Sequence, residues 1–455
     1  MSNNRVMIKE ESLKIYDAID GEFAVVKNPE YIYFPYEIYP LAPRRTEPES
    51  KIVGIAMDMD GTTTTTEEIC IHSLEHSIRK SSGFMSKEDW IGLDKIKDYP
   101  NIIGNSTTKH VEYLAKTYSS ILKNNEIAKS HLSAALWTLF FGKDATRILE
   151  VKTNLKNFGV EEAINFIDFN RHKLQNKEEY DKINNELIQK YALTYNIDAF
   201  DKKVAAIIDI YYQRYHEILS ALEKGEEKKF AKDVFGSEDH EKNFIEPMPG
   251  VEVFLPLIKG YLGKDVEMLS EQLIEDAKKK GWNENFNIKD VKVKLKELGE
   301  YFENSPLKIS IVTSSIFYEA KIVMTELFKV LRKKYERLPI SLQKKELLLA
   351  KFESYQNVYD SFVTASDSSE IRLKPHRDLY SIALQRMGIQ KRDYANVIGL
   401  EDSESGTIAL RAAGIGLAIA LPFAQTSNHN FQAASLVAKY GLPEIILKYN
   451  LFVKK

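Results

Sequence analysis

Ile52-Val-Gly-Ile-Ala-Met is a short, continuously apolar run, the pattern of a strand buried on both faces in a parallel sheet. It stops at Asp58. Downstream the period changes: Ser130-His-Leu-Ser-Ala-Ala-Leu-Trp-Thr-Leu-Phe-Phe and Val204-Ala-Ala-Ile-Ile-Asp-Ile-Tyr-Tyr carry apolar residues at helical spacing, with little proline or glycine. The stretch 67–246 therefore reads as one helical domain. After Pro247-Met-Pro-Gly250, strands are predicted at 308–313, 360–365 and 395–400, separated by helical patterns, which is the alternation of an α/β unit. Lysine- and glutamate-rich segments at 263–306 and 327–356 read as helical insertions between those strands.

Upstream, Leu13-Lys-Ile-Tyr and Phe23-Ala-Val-Val flank Asp20-Gly21, a dipeptide suited to a tight hairpin. Tyr31-Ile-Tyr-Phe-Pro-Tyr continues in extended style to a polar, proline-containing linker at 42–50. The predicted fold class is thus α/β: a Rossmann-like core with a parallel sheet (51–66 and 247–455), an all-α domain (67–246) inserted after the first strand, and a small N-terminal β extension (1–50). No internal repeat or long heptad run competes with this reading.

Composition narrows the function classes. The 455 residues are 44% hydrophobic and 28% charged, which suits folded domains and excludes wholesale disorder. A net charge of -3 supplies no global positive field, so neither nucleic acid nor an acidic membrane face is an expected partner. Cys70 is the one cysteine, so no intrachain disulfide forms. The N-terminus lacks a signal peptide's apolar run, and no stretch of about 18 apolar residues occurs. The expected compartment is the cytoplasm, and Asn105-Ser-Thr is then a surface turn rather than a glycan acceptor.

The sharpest chemical signal is Asp58-Met-Asp60-Gly61-Thr62, at the carboxyl end of the first core strand, where open α/β sheets place ligands. Residues two apart in extended backbone point the same way, so Asp58 and Asp60 can face one reacting centre. Two such acids suit a nucleophile paired with a proton donor and acceptor, and their repulsion favours a divalent cation between them. An EF-hand is excluded, because its sixth and twelfth places hold Thr63 and Ile69 here. Three later segments repeat the pattern of strand followed by polar residues. Thr313-Ser314-Ser315 offers hydroxyls and backbone N–H groups for phosphate oxygens, Lys374-Pro375 a fixed cation, and Glu401-Asp402-Ser403 two further acids suited to metal.

This order of Asp-x-Asp-Gly-Thr, Thr-Ser, Lys-Pro and Glu-Asp-Ser resembles the haloacid dehalogenase superfamily, in particular its β-phosphoglucomutase and phosphoglycolate phosphatase-like subgroup. Met248-Pro-Gly250-Val and Glu401-Asp-Ser-Glu-Ser-Gly406-Thr-Ile-Ala-Leu-Arg-Ala-Ala-Gly414 extend the match. The resemblance implies that Asp58 attacks phosphorus and that Asp60 protonates the leaving oxygen and later activates water. It implies that Thr313, Ser314 and Lys374 hold phosphoryl oxygens, and that Mg²⁺ is bound by Asp58, Asp60, Asp402 and Glu401. The helical stretch 67–246 falls where that family inserts its cap. Thr63-Thr64-Thr65-Thr66 departs from the family's usual continuation of the first motif, and the cap is larger than usual.

The expected function is Mg²⁺-dependent hydrolysis of a small phosphate ester. A sugar phosphomutase is the nearest alternative, ranked second because no cap motif for a second phosphate is recognisable, and a non-catalytic protein-binding scaffold is the alternative from another class. Three further strings have bland readings: His72-Ser-Leu-Glu75-His76 matches an inverted zinc-protease string but lacks a further acidic ligand and reads as a helix face. Gly260-Tyr-Leu-Gly263-Lys264 has the wrong glycine spacing for a nucleotide loop, and Trp137, Phe140 and Phe141 read as core before pocket.

Overall fold

The computed structural model describes residues 7–19, 21–28, 32–86, 88–103, 106–174, 176–236, 242–369, 372–449 and 451–452. Asp20, Tyr31 and Asn105 lie outside them. The chain divides into two compact units, one of Met1–Thr63, Pro249–Ser314 and Lys334–Lys455, the other of Thr64–Met248 with Ser315–Lys333.

The first unit carries two sheets. A hairpin pairs β1 (Phe23–Lys27) with β2 (Tyr36–Pro40), Ala24 opposite Tyr39. The main sheet is six-stranded, with β3 (Gly54–Asp58), β4 (Lys308–Val312), β5 (Ser361–Val363), β6 (Val397–Glu401), β7 (Leu417–Ala420) and β8 (Leu436–Val437). All pairings in it are parallel, in the order β5-β4-β3-β6-β7-β8. Counted from β3, this is the doubly wound 3-2-1-4-5-6 arrangement, whose switch point falls between β3 and β6. The core is Rossmann-like, as the strand pattern predicts.

Every residue of β3, β6 and β7 is buried, so these strands lack polar alternation. Helices Asp378–Arg386 and Glu404–Ala412 share a core with them: Leu379, Ala383, Ala409 and Leu410 pack with Ala56, Val312, Val397 and Ala418. Each large aliphatic side chain enclosed in this way contributes roughly 1.5–3 kcal/mol by leaving water. The segment 263–306 forms a 3₁₀ turn and helices Ser270–Lys279 and Ile288–Asn304, and Gly263 ends in that turn rather than a nucleotide loop.

Leu13-Lys-Ile-Tyr is not a strand. It lies in helix Lys9–Ile19, where Glu, Lys and Leu favour helix and Glu10 and Glu11 complement the N-terminal dipole. The partner of β1 comes instead from 36–40. Ala24, Val26 and Tyr39 of the hairpin pack with Ile408 and Ala412 of helix Glu404–Ala412. Arg411, only 1% exposed, donates to the Ala42 carbonyl from Nε (2.9 Å) and Nη2 (2.5 Å).

The second unit is helical. Its longest members, Phe200–Lys224 and Asn124–Phe141, pack against each other and against Glu67–Ser82. His131 bridges Tyr195 (2.7 Å) and Asp209 (2.8 Å) inside it, and His216 meets Glu319 at 2.8 Å. The two ends of the insertion pair with each other: Thr64 bridges Pro247, the Thr65 N–H donates to the Glu246 carbonyl (3.0 Å), and the Glu246 N–H donates to Thr65 Oγ1 (3.0 Å). Among the described residues, no helix is long and apolar enough to cross a membrane.

Glu22 ties the hairpin to its support. It accepts from Arg44 at 2.8 and 2.5 Å and meets Arg411 Nη2 at 2.7 Å. The Arg44 hydrogen bonds, opposed by slight burial and helped by Arg411, lower its carboxyl to about 2 from an ordinary 4.5. A depressed carboxyl stabilises the fold above its unfolded value, and the benefit fades as pH falls through the folded one. Glu22→Gln should therefore cost about 1 kcal/mol at neutral pH, the upper range for half-exposed pairs. Urea unfolding at several pH values should show this difference intact above about 4.5 and vanishing as pH approaches about 2.

Candidate active site

The site follows from strand register. Asp58 is opposite Val312 of β4, and Met57 is opposite Leu400 of β6, so the next residues, Asp58 and Glu401, emerge level at the carboxyl ends of adjacent strands. Asp58, Glu401 and Asp402 are 5%, 0% and 4% exposed, and one oxygen of each lies within 4.8 Å of the others. Among the described residues this is the only grouping of three potential metal ligands.

Lys374 binds the acids together. Its ammonium donates to Asp58 Oδ1, to Glu401 Oε1 at 2.7 Å and to the Val312 carbonyl at 3.2 Å. Burial disfavours the ammonium, but Asp58 and Glu401 more than reverse that and hold its pKa above the ordinary lysine value. Asp58 is pushed the other way from most paired acids. Burial, with Glu401 and Asp60 close by, raises its carboxyl above the usual range even though Lys374 pulls it down. Three buried acids share the place with one buried ammonium, which touches only Asp58 and Glu401, so acidic groups outnumber the cation where water is scarce. Oxygen donors of this kind suit a hard divalent cation, which Asp58, Glu401 and Asp402 would hold.

Asp60 and Thr313 form the neighbouring pair. Thr313 Oγ1 donates to Asp60 Oδ2 at 3.0 Å, bringing the ends of β3 and β4 together. Ser314 follows at the same strand end, half-buried. Gly61 has φ 79°, the left-handed conformation that lets the chain turn immediately after Asp60. Thr63 closes that turn, its N–H donating to the Met59 carbonyl (2.9 Å) and its hydroxyl to the Asp58 carbonyl (2.6 Å).

Three residues support Glu401: Ser403 and Gly406 lie within the fourth motif, and Tyr380 lies outside every motif. Tyr380 donates its phenolic hydrogen to Glu401 Oε1. Ser403 donates to Glu401 Oε2 (3.2 Å) and accepts from the Gly406 N–H (3.1 Å), capping helix Glu404–Ala412. Gly406 leaves room for the Glu401 carboxylate. A cap serine at Ser403 is visible in the sequence as Ser-x-x-Gly before an apolar run, whereas nothing in the sequence aims Tyr380 at Glu401.

The other strings fall elsewhere. Glu75 Oε1 accepts from the Leu93 N–H (2.9 Å) and His72 Nε2 from Arg214 Nε (3.1 Å), so His72, Glu75 and His76 make no metal group. Trp137 lines a cavity of about 520 Å³ within the helical unit, together with His76, Tyr180 and Arg214. Cys70 is half-buried and accepts a weak hydrogen bond from Tyr211.

A methyl group at Gly406 would lie 1.9–2.2 Å from the Glu401 carboxylate. Gly406→Ala should therefore displace Glu401 from Lys374 and destabilise the first unit by about 1–3 kcal/mol, as overpacking of a filled core does. Denaturant unfolding measures the loss, and unchanged stability would contradict the close approach.

No family model matches the chain, and no curated protein matches it. The solved structures similar to it include the following three. CbbY from Rhodobacter sphaeroides in complex with phosphate is 13% identical, with 87% of this chain and 96% of that one covered and a TM-score of 0.39. A candidate β-phosphoglucomutase from Thermotoga maritima is 15% identical, with 87% and 97% covered and a TM-score of 0.31. A candidate phosphoglycolate phosphatase from Lactobacillus delbrueckii subsp. bulgaricus is 14% identical, with 88% and 100% covered and a TM-score of 0.30.

Proposed function

We propose that the chain is a Mg²⁺-dependent phosphohydrolase of the haloacid dehalogenase type, acting on a small phosphate monoester. The supporting observation is the grouping of Asp58, Glu401 and Asp402 around Lys374 at the sheet's switch point, beside the Asp60–Thr313 pair.

In this reading a carboxylate oxygen of Asp58 attacks phosphorus and the bond from phosphorus to the ester oxygen breaks. Asp60, steadied by Thr313, gives its proton to the departing oxygen. The resulting acyl phosphate on Asp58 is cleaved by water, whose proton returns to Asp60 while the bond from phosphorus to the Asp58 oxygen breaks. Lys374 compensates charge on the phosphoryl oxygens, and Thr313 and Ser314 supply hydroxyls to them. Asp58 and Asp402, with Asp60, would hold Mg²⁺, which would supply charge to neutralise the acids and the phosphate so that like charges can meet. Glu401 keeps Lys374 in place between those acids. The helical insertion is the part we assign to choosing among esters, in the role a cap fills.

Asp58→Asn is nearly isosteric but removes the nucleophile. It should fold normally by circular dichroism and lose at least about a thousandfold of the turnover of p-nitrophenyl phosphate with Mg²⁺, and wild-type-like turnover would refute the assignment. Chelation with EDTA should silence the native enzyme and added Mg²⁺ restore it; full activity in EDTA would remove the cation from the proposal.

A further inference from the structure

Lys374 does not stand on a strand or helix. It sits in a reverse turn closed by the His376 N–H donating to the Leu373 carbonyl at 2.9 Å. The residues two places before and after it, Arg372 and His376, both reach back to the N-terminal hairpin. His376 is 4% exposed, and its Nδ1 lies 2.7 Å from the hydroxyl of Tyr39 on β2. Arg372 Nη1 donates to the same hydroxyl at 3.0 Å and to Glu37 Oε2 at 3.1 Å. Its Nε and Nη2 grip Asp378 at 2.9 and 2.8 Å, the first residue of the following helix.

The phenol has one hydrogen, which it donates to Glu37. His376 Nδ1 then carries a hydrogen and donates to the phenolic oxygen, which fixes its tautomer. Glu37, Tyr39, Arg372 and His376 form one connected network that includes both shoulders of the lysine turn.

We propose that the hairpin is a positioning element of the active site: Tyr39 and Glu37 clamp Arg372 and His376 so that the Lys374 ammonium is held at Asp58 and Glu401. This rests on the phosphohydrolase reading only for its catalytic consequence. A lysine carries several rotatable bonds, and an unclamped turn would let its charge wander by more than the ångström that phosphoryl transfer tolerates. The hairpin's other anchor, Glu22 with Arg44 and Arg411, does not touch the lysine turn and so separates simple attachment from positioning.

Tyr39→Phe keeps the ring packed beside Ala24 and Val26 and removes only the hydroxyl. Three readouts are taken on the full chain with Mg²⁺: kcat and KM for p-nitrophenyl phosphate, the inhibition constant of inorganic phosphate, and the rate at which an amine reagent labels Lys374, read by peptide mass. Tyr39→Phe should lower kcat about tenfold, weaken phosphate by a similar factor and raise Lys374 labelling several-fold. Glu22→Gln should lose stability yet keep wild-type kcat and labelling. Wild-type kcat and labelling in Tyr39→Phe, or equal losses in Glu22→Gln, would overturn the clamp. If the wild type turns over no ester, the phosphohydrolase reading fails by itself, and the labelling rates still decide whether the hairpin holds Lys374.

Discussion

The constraint on which this core depends is charge compensation without water. Three acids at the sheet's centre are withdrawn from solvent, and Lys374 is the ammonium that meets two of them. Isolated burial of any one would favour its neutral form, so the arrangement persists only if the positive group arrives at a fixed place. Much of the surrounding architecture serves that requirement. Tyr380 and Ser403 saturate Glu401, Thr63 ties the turn after Asp58, and the close approach at Gly406 gives the carboxylate its space.

The core and most site residues are legible in the chain because their signals are local. A fully buried strand has no polar alternation, and Ile52–Met57 states this in six consecutive residues that end at Asp58. Parallel register does the rest, since strands that start level also finish level, and polar residues placed just after each apolar run must gather at one edge. The strand β7 follows Gly416, and β8 has only two residues after Ser435, so their runs carry less information.

What is not legible depends on tertiary partners. Leu13-Lys-Ile-Tyr carries β-favouring side chains among good helix formers, and which preference wins is settled by the hairpin finding its second strand at 36–40. Tyr380 meets Glu401 only because helix Asp378–Arg386 packs against β3, β4 and β5, a placement no residue spacing encodes. The link between Tyr39 and His376 spans 337 positions and joins two segments whose local patterns are unremarkable.

The pairing of Thr64 and Thr65 with Glu246 and Pro247 carries a consequence of its own. A long insertion whose two ends are fastened to each other presents the same short stem to its host whatever lies beyond. Chain added between those ends costs the core little, because closure of the loop is already secured at the stem and grows only logarithmically with length. Such a stem lets the stretch between those ends lengthen or diversify while the parallel sheet keeps its sequence constraints.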